Sequence, residues 1–581
     1  MDTAAPTFRT FLLACLLPVL LLSGCATLTP EERALLRPLE RAEASLKEAR
    51  ALHRPVAERA GHYLDAAAEA AALFEEIPDH RERIIYNAAA GELTVLLRDH
   101  AEQWPAAIRI ASPAGRGDYL VTLAPALARA KKPGGPKLWD PAAFSKFKAA
   151  GKVSKRGFRK TFEQNGYGGT LVGIRERDDM GKAQQQFSLN AGITAPVTAT
   201  LEFDPPRHAR DTPPGTATPV VVPVTLALHD PAKEDASTLE GEVRPLAVDL
   251  TAPLAYYPRR SEFWNGILSM IQIEKYISES GLYLLGPYDP ERLPVIFVHG
   301  LASTYQMWYN DINEIEADPA LRGRCQYWVL SYPSGTPVSY SALRMREDLA
   351  AIAALYPPQR GYVVIGHSMG GIIGRMQATT TGLHLWDAYL GPRAPELYAK
   401  LPPDNFLKKA LIYNANHDVK RLVFICTPHR GSDMAVGSLG RMVARLITLP
   451  VTMVNALQTT LGDSLSWLLG SNGGRWPTAI ESLSPKNPTL VALSKLPIEA
   501  RYNSIIGDRG RGGDLSKTSD GIVPYWSSHL EGADSELIVP GSHSSSELPQ
   551  TVDELKRILT LQLTTPPRQP ARTLPKAEAK R

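Results

Sequence analysis

Tyr362-Val363-Val364-Ile365-Gly366-His367-Ser368-Met369-Gly370-Gly371 is the stretch on which the reading of this chain turns. The β-branched run Val363-Val364-Ile365 after Tyr362 predicts a short strand buried on both faces, and Gly370 to Thr380 fits a helix. Between them, Gly366 and Gly370 flank Ser368 in the spacing G-x-S-x-G. A serine at the tip of a strand-to-helix turn sits in a strained backbone, so the positions two residues away must lack bulk. The helix starting behind it presents free N–H groups and the positive end of its dipole to developing negative charge.

A serine hydroxyl is a weak nucleophile at neutral pH and needs a base that is itself oriented by an acid. Around such a turn the acid and then the histidine follow the serine along the chain. Position favours His543: Glu536 to Val539 reads as a last strand, Pro540-Gly541-Ser542-His543 as the loop leaving it, and a final helix starts near Thr551. His529, which precedes that strand, is the rival. For the acid, Asp520 in Ser519-Asp520-Gly521-Ile522-Val523-Pro524 stands between the last two strands, and its glycine neighbour permits a tight turn. Asp508, Asp514 and Asp433 are the alternatives. An oxyanion forming at Ser368 calls for two backbone N–H groups aimed at one point. Met369, directly after the serine, and Leu301, in His299-Gly300-Leu301, are the expected donors.

Further outward, Val295–Val298, Tyr327–Leu330, Leu422–Ile425 and Tyr502–Ile506 are also short apolar runs, with helical stretches at Ser341–Leu355 and Val552–Leu561. Strand–helix alternation of this kind implies a parallel sheet with crossover helices, an α/β fold. His299-Gly300, Gly366 to Gly371, Thr427-Pro428-His429-Arg430-Gly431-Ser432 and Asp520-Gly521-Ile522-Val523 together resemble bacterial lipases of the α/β-hydrolase superfamily. Ser519 to Leu530 looks like the acid-bearing loop of secreted Pseudomonas-type lipases, and the wider arrangement is similar to the GPI inositol-deacylase-like branch. The resemblance spans residues 285 to 562. It implies an α/β-hydrolase fold and cleavage of an ester or lipid substrate through an acyl-enzyme on Ser368. Acyl transfer by the same residues, or a non-catalytic envelope scaffold, are the competing readings. Apolar patches at Leu446–Val454 and Leu465–Leu469 fit either a lid or helices packed on the sheet.

The N-terminus carries an address. Arg9 precedes an apolar run from Phe11 to Leu22, shorter than the roughly 20 residues of a spanning helix, and Leu22-Ser23-Gly24-Cys25 follows. The tetrapeptide resembles a bacterial lipobox. That resemblance implies a signal peptide over 1–24, Cys25 as the lipid-bearing N-terminus and, with Ala26 next, an outer-membrane anchor in the cell envelope. Residues 25–127 read as helical, 128–169 as a basic loop or linker, 170–284 as a β-rich module (sandwich-like or extended), 285–565 as the hydrolase and 566–581 as a disordered tail. The basic stretch, with Lys155, Arg156, Arg159 and Lys160 among aromatics such as Phe144 and Phe147, reads as a solvated face or a contact for anionic headgroups.

With 44% apolar and 21% charged residues, the 581-residue chain has a globular composition, and a net charge of +4 gives no reason to expect nucleic acid. No CxxC pair or HExxH occurs, so neither a metal nor a cofactor is expected. Cys325 and Cys426, in or beside apolar runs, are expected as buried thiols, with a disulfide as the alternative.

Overall fold

The structure, a computed structural model, describes residues 30–77, 80–100, 106–124, 137–204, 221–258, 262–433, 478–510 and 514–564, and positions 455, 458 and 459. Residues 1–29, with the expected signal peptide and Cys25, residues 125–136, the 446–454 and 465–469 patches and the 566–581 tail lie outside the described residues.

Three helices come first: α1 (Pro30–Ala49), α2 (Val56–Ala71) and α3 (Arg81–Asp99). They are followed by β1 (Ala107–Ala111), β2 (Asp118–Leu123), β3 (Lys146–Ala149), β4 (Glu163–Gln164), β5 (Gly169–Arg175), β6 (Ile193–Phe203) and β7 (Val221–His229). Six of these strands form one sheet in the order β1-β2-β7-β6-β5-β3. Alternate residues of β6 (Ala195, Val197, Ala199, Leu201 and Phe203) share a core with Ala66, Ala67 and Ala70 of α2 and Tyr86, Ala89 and Leu93 of α3. The small side chains of α2 let the helices lie close enough to cover that sheet face.

This joint core corrects the expected organisation upstream. β1 and β2 precede residue 127, and β3 falls inside the stretch read as a linker, so the divisions at 127 and 169 cut through one packed unit. A single sheet backed by helices replaces the expected sandwich, because the alanine-rich helices bury the face that a second sheet would otherwise cover. After the hairpin of β8 (Ala236–Leu239) and β9 (Glu242–Pro245), the stretch Leu246–Leu254, similar to a strand in sequence, supplies only β10 (Val248–Asp249), paired with β4. It then turns into the helix Thr251–Tyr256.

Three cations of the basic stretch are satisfied within the protein. Lys155 pairs with Glu163 and Asp249, Arg159 with Asp311 (2.8 Å) and Glu314 (3.0 Å), and Lys160 with Glu314 (3.1 Å), while Phe144 and Phe147 are buried. Asp311 and Glu314 belong to the downstream half, so Arg159 and Lys160 join the two halves.

Downstream, a seven-stranded sheet holds β11 (Gly281–Leu284), β12 (Leu293–Val298), β13 (Cys325–Ser331), β14 (Tyr362–His367), β15 (Val419–Ile425), β16 (Arg501–Asp508) and β17 (Glu536–Pro540). Their order is β11-β13-β12-β14-β15-β16-β17, all parallel except the antiparallel edge β11. The central strands read as continuous apolar runs because both faces are covered. Ile296, Val298, Val364, Leu422 and Phe424 face one core, with α5 (Val338–Leu355) and α6 (Met369–Arg375). Val295, Phe297, Val363, Ile365, Val423 and Ile425 face the other, with α4 (Tyr309–Glu316) and α7 (Pro549–Thr564). Between β14 and β15, short helices bury Leu385, Trp386, Leu397 and Leu411 in the first core. Cys325 and Cys426 are both free and buried.

Candidate active site

β14 ends at His367, and α6 begins at Met369. Ser368 between them has φ +53° and ψ −124°, a strained conformation for a residue with a side chain. The strand and helix double back so closely that a Cβ on Gly366 would lie 2.5 Å from the Gly371 nitrogen, and one on Gly370 2.3 Å from the Val298 oxygen. Both positions therefore require glycine. The Ser368 N–H donates to the Ile425 carbonyl of β15 (2.8 Å), tying the turn to the neighbouring strand.

His543 lies in the loop after β17, with its Nε2 2.8 Å from Ser368 Oγ and its Nδ1 2.7 Å from Asp520 Oδ2. An ionised carboxylate only accepts, so Nδ1 carries the proton and Nε2 presents a lone pair to the serine hydroxyl. Asp520 Oδ1 accepts from the N–H groups of Ile522 (2.8 Å) and Val523 (2.7 Å). Burial alone would raise the Asp520 carboxyl. The hydrogen bond and charge of His543, with the two turn N–H groups, outweigh it and hold the carboxyl below its ordinary value. The His543 carbonyl accepts from His367 Nε2 (2.7 Å). Burial and the neighbouring His543 lower His367 to about 3, so it is a neutral donor that pins the loop.

The other side of Ser368 is formed by the loop after β12. A Cβ on Gly300 would stand 3.0 Å from Ser368 Cβ. Tyr332 Oη donates to the His299 carbonyl (2.6 Å), and the Ala302 N–H donates to Ser334 Oγ (3.0 Å), fastening this loop at both ends. The N–H groups of Leu301 and Met369 have no hydrogen-bond partner among the described residues. Ser368, its histidine, its acid and two unengaged N–H groups thus come from the ends of parallel strands and the loops that leave them.

Residues 295–553 match the model of the alpha/beta hydrolase family. With the sheet order above, the downstream half has the α/β-hydrolase fold. No curated protein matches the sequence. Among solved structures, the chain is similar to mature Bacillus licheniformis lipase BlEst2, at 17% identity over 48% of this chain and 97% of that one, with a TM-score of 0.29. It is also similar to EstA from Clostridium botulinum (15%, 54% and 100%, TM-score 0.31) and Staphylococcus hyicus lipase (16%, 48% and 93%, TM-score 0.27).

Within this hydrolase fold the rival candidates are engaged elsewhere. His529 bonds Glu536 through Nδ1 (2.6 Å) and Glu531 through Nε2 (3.1 Å). Asp508 accepts from the Gly510 N–H and Asp514 from the Ser516 N–H, both at 2.9 Å, and Asp433 is exposed. Sequence reasoning did not single out His367, Tyr332 or Ser334 as supports. Only the first adjoins a motif residue, and its partner is 176 positions away. Nor did it foresee the Cys426 thiol beside the acid. Ligand atoms of Cys426, Asp520 and His543 lie within 4.8 Å of one another. Burial and the Asp520 charge push that thiol up, keeping it protonated against the carboxylate.

Proposed function

We propose that the chain is a membrane-anchored serine hydrolase of carboxylic esters, with Ser368 as nucleophile, His543 as base and Asp520 as orienting acid. The observation that carries this reading is the unbroken relay from Ser368 Oγ through His543 to Asp520, at 2.8 and 2.7 Å, beside two unengaged N–H groups. In acylation, His543 Nε2 takes the Ser368 proton as Oγ bonds to the ester carbon. The oxygen that gains charge is held by the N–H groups of Leu301 and Met369, and losing one such donor typically costs about 10²–10³ in rate. The C–O bond to the alcohol then breaks, and that alcohol leaves with the proton from Nε2. Water enters, gives its proton to Nε2 and its oxygen to the acyl carbon, and Ser368 regains a proton as the acid departs. Asp520 stabilises the imidazolium formed in each half without taking its proton.

Lipidation of Cys25 places this chemistry at an outer-membrane surface in the proposal, because several acyl chains on one residue anchor firmly. Short p-nitrophenyl esters test the reaction. The wild type should hydrolyse them and Ser368→Ala should not; full activity in that variant removes the assignment. Cys25→Ser should move the protein from the membrane fraction to the soluble one, and unchanged acyl labelling of that variant would remove the anchor.

A further inference from the structure

Beside the oxyanion loop is a cavity of about 290 Å³ that the mechanism above does not use. It lies outside the carboxyl ends of the parallel strands, where ligands of α/β sheets bind. His299 follows β12 in its wall, and Ser331 and Tyr332 stand at the end of β13. Ser368 follows β14, and β12 pairs with both β13 and β14, so the cavity and Ser368 flank the end of one strand. Part of the wall comes from the upstream half, through Arg177 and Asn190 in the segment between β5 and β6. The upstream residues thus complete a cavity at the hydrolase's catalytic edge.

The chemistry of its described lining residues is polar, aromatic and close to neutral. His299 Nδ1 donates to the Gly300 carbonyl (2.9 Å), leaving Nε2 as an acceptor that no described residue engages. Burial lowers this imidazole to about 4, so it stays neutral at working pH and offers a lone pair, not a charge. The Asn265 side-chain amide also has no partner among the described residues, and it lines the same space. At the wall, Gln306 Oε1 and Thr304 Oγ1 are buried without a hydrogen-bond partner among the described residues. The one guanidinium among the described lining residues, Arg177, is already bonded to Asn190 Oδ1 (2.7 Å) and the Gln185 carbonyl (3.1 Å), and Glu279 places a carboxylate in the same lining. A neutral imidazole acceptor and a carboxylate repel or ignore an anion, whereas both accept from hydroxyl groups. Tyr276, Tyr283, Tyr305 and Tyr332 add ring surface. Small-ligand cavities run from roughly 300 to 1,000 Å³, so this one fits a compact group rather than a long chain.

We infer that this cavity is a subsite for a neutral, hydroxyl-rich alcohol portion of the ester, a sugar or polyol group, held jointly by the upstream half and the oxyanion-loop side of the hydrolase. The inference rests on the ester-hydrolase reading and names the substrate's alcohol side. Hydroxyls of the ligand donate to His299 Nε2 and accept from Asn265, while ring faces of the tyrosines cover its C–H groups.

The test keeps the acyl group fixed and varies the alcohol: ethyl butanoate, glycerol monobutanoate and 6-O-butanoylglucose, with the full-length protein. At least one hydroxylated ester should exceed ethyl butanoate in kcat/KM by tenfold or more, and which one does so separates polyol from sugar. Asn265→Leu should erase most of that preference while leaving ethyl butanoate turnover unchanged. Equal kcat/KM for all three esters, or a preference that survives Asn265→Leu with Asn190→Leu, overturns the subsite while leaving the esterase reading intact. Saturation-transfer NMR with methyl glucoside and glycerol on Ser368→Ala reads binding without turnover. A signal from either that is lost in Ser368→Ala/Asn265→Leu supports the subsite even if no ester is cleaved, and no signal from either overturns it.

Discussion

Replacing Asp520 by asparagine separates the two jobs that this side chain performs. Its Oδ1 accepts from the Ile522 and Val523 N–H groups, and its Oδ2 accepts from His543 Nδ1. In Asp520→Asn the amide oxygen keeps both turn bonds, so the Asp-Gly turn and the fold survive. The amide nitrogen then faces Nδ1 and can only donate. His543 must present Nδ1 as an acceptor and carry its proton on Nε2, 2.8 Å from Ser368 Oγ, where it cannot take the serine proton. A wrong tautomer of this kind lowers kcat by about 10⁴, or about 5.4 kcal/mol of transition-state stabilisation. The expected result in p-nitrophenyl butanoate hydrolysis at pH 8 is that loss in kcat with little change in KM. Asp520→Ala should be equally inactive and less stable, because it also strips the two turn N–H groups of their acceptor. Linkage adds a signature. The carboxyl is held below its ordinary value, so the stability it contributes is present above about pH 4 and is lost as pH falls through its folded value. Urea unfolding should therefore show the gap between wild type and Asp520→Asn shrinking from pH 6 to pH 3. An Asp520→Asn protein within tenfold of wild-type kcat, or an equal loss in Asp508→Asn, would show that Asp520 does not set the tautomer of a catalytic His543.

Two other perturbations probe the frame around the site. Arg159→Met leaves the buried Asp311 without its partner and should cost about 1–3 kcal/mol in urea unfolding at pH 8, with Arg159→Met/Asp311→Asn recovering much of the loss. Burial already pushes the Asp311 carboxyl up to about 7 against the pull of Arg159, so the variant's deficit against wild type should narrow as pH falls below 7 and both proteins hold the group protonated. Gly370→Ala brings a Cβ within 2.3 Å of the Val298 oxygen, a backbone atom that cannot swing away. The resulting shift of the turn should lower kcat on the order of 10²-fold or more in the same ester assay, along with a lower Tm.

The parallel strands were legible because β12, β14 and β15 are covered on both faces, which leaves an unbroken apolar run in each. β11, four residues at an antiparallel edge, is a short Gly-Leu-Tyr-Leu run without β-branched residues and passed unnoticed. Ser368 was legible from its flanking glycines, and His543 and Asp520 from chain order and the local turn. The upstream architecture was hidden because its determinants are non-local. Phe144 and Phe147 alternate with lysines as a membrane-facing loop would, yet they pack in the core shared by α1–α3. Lys155 finds Asp249 at 94 residues' separation, and Arg159 finds Asp311 at 152. Local charge counting sees only the cations. For the same reason, the wall that the Arg177–Asn190 segment adds to the cavity beside His299 has no trace in the hydrolase motifs.

The central claim is that Ser368 is an activated nucleophile within the Ser368–His543–Asp520 relay. Its most direct test is reaction of the intact protein with a fluorophosphonate, followed by peptide mapping. One adduct per chain is expected, on Ser368, formed far more slowly in His543→Ala. An adduct on another serine, or labelling at an undiminished rate in His543→Ala, would contradict it.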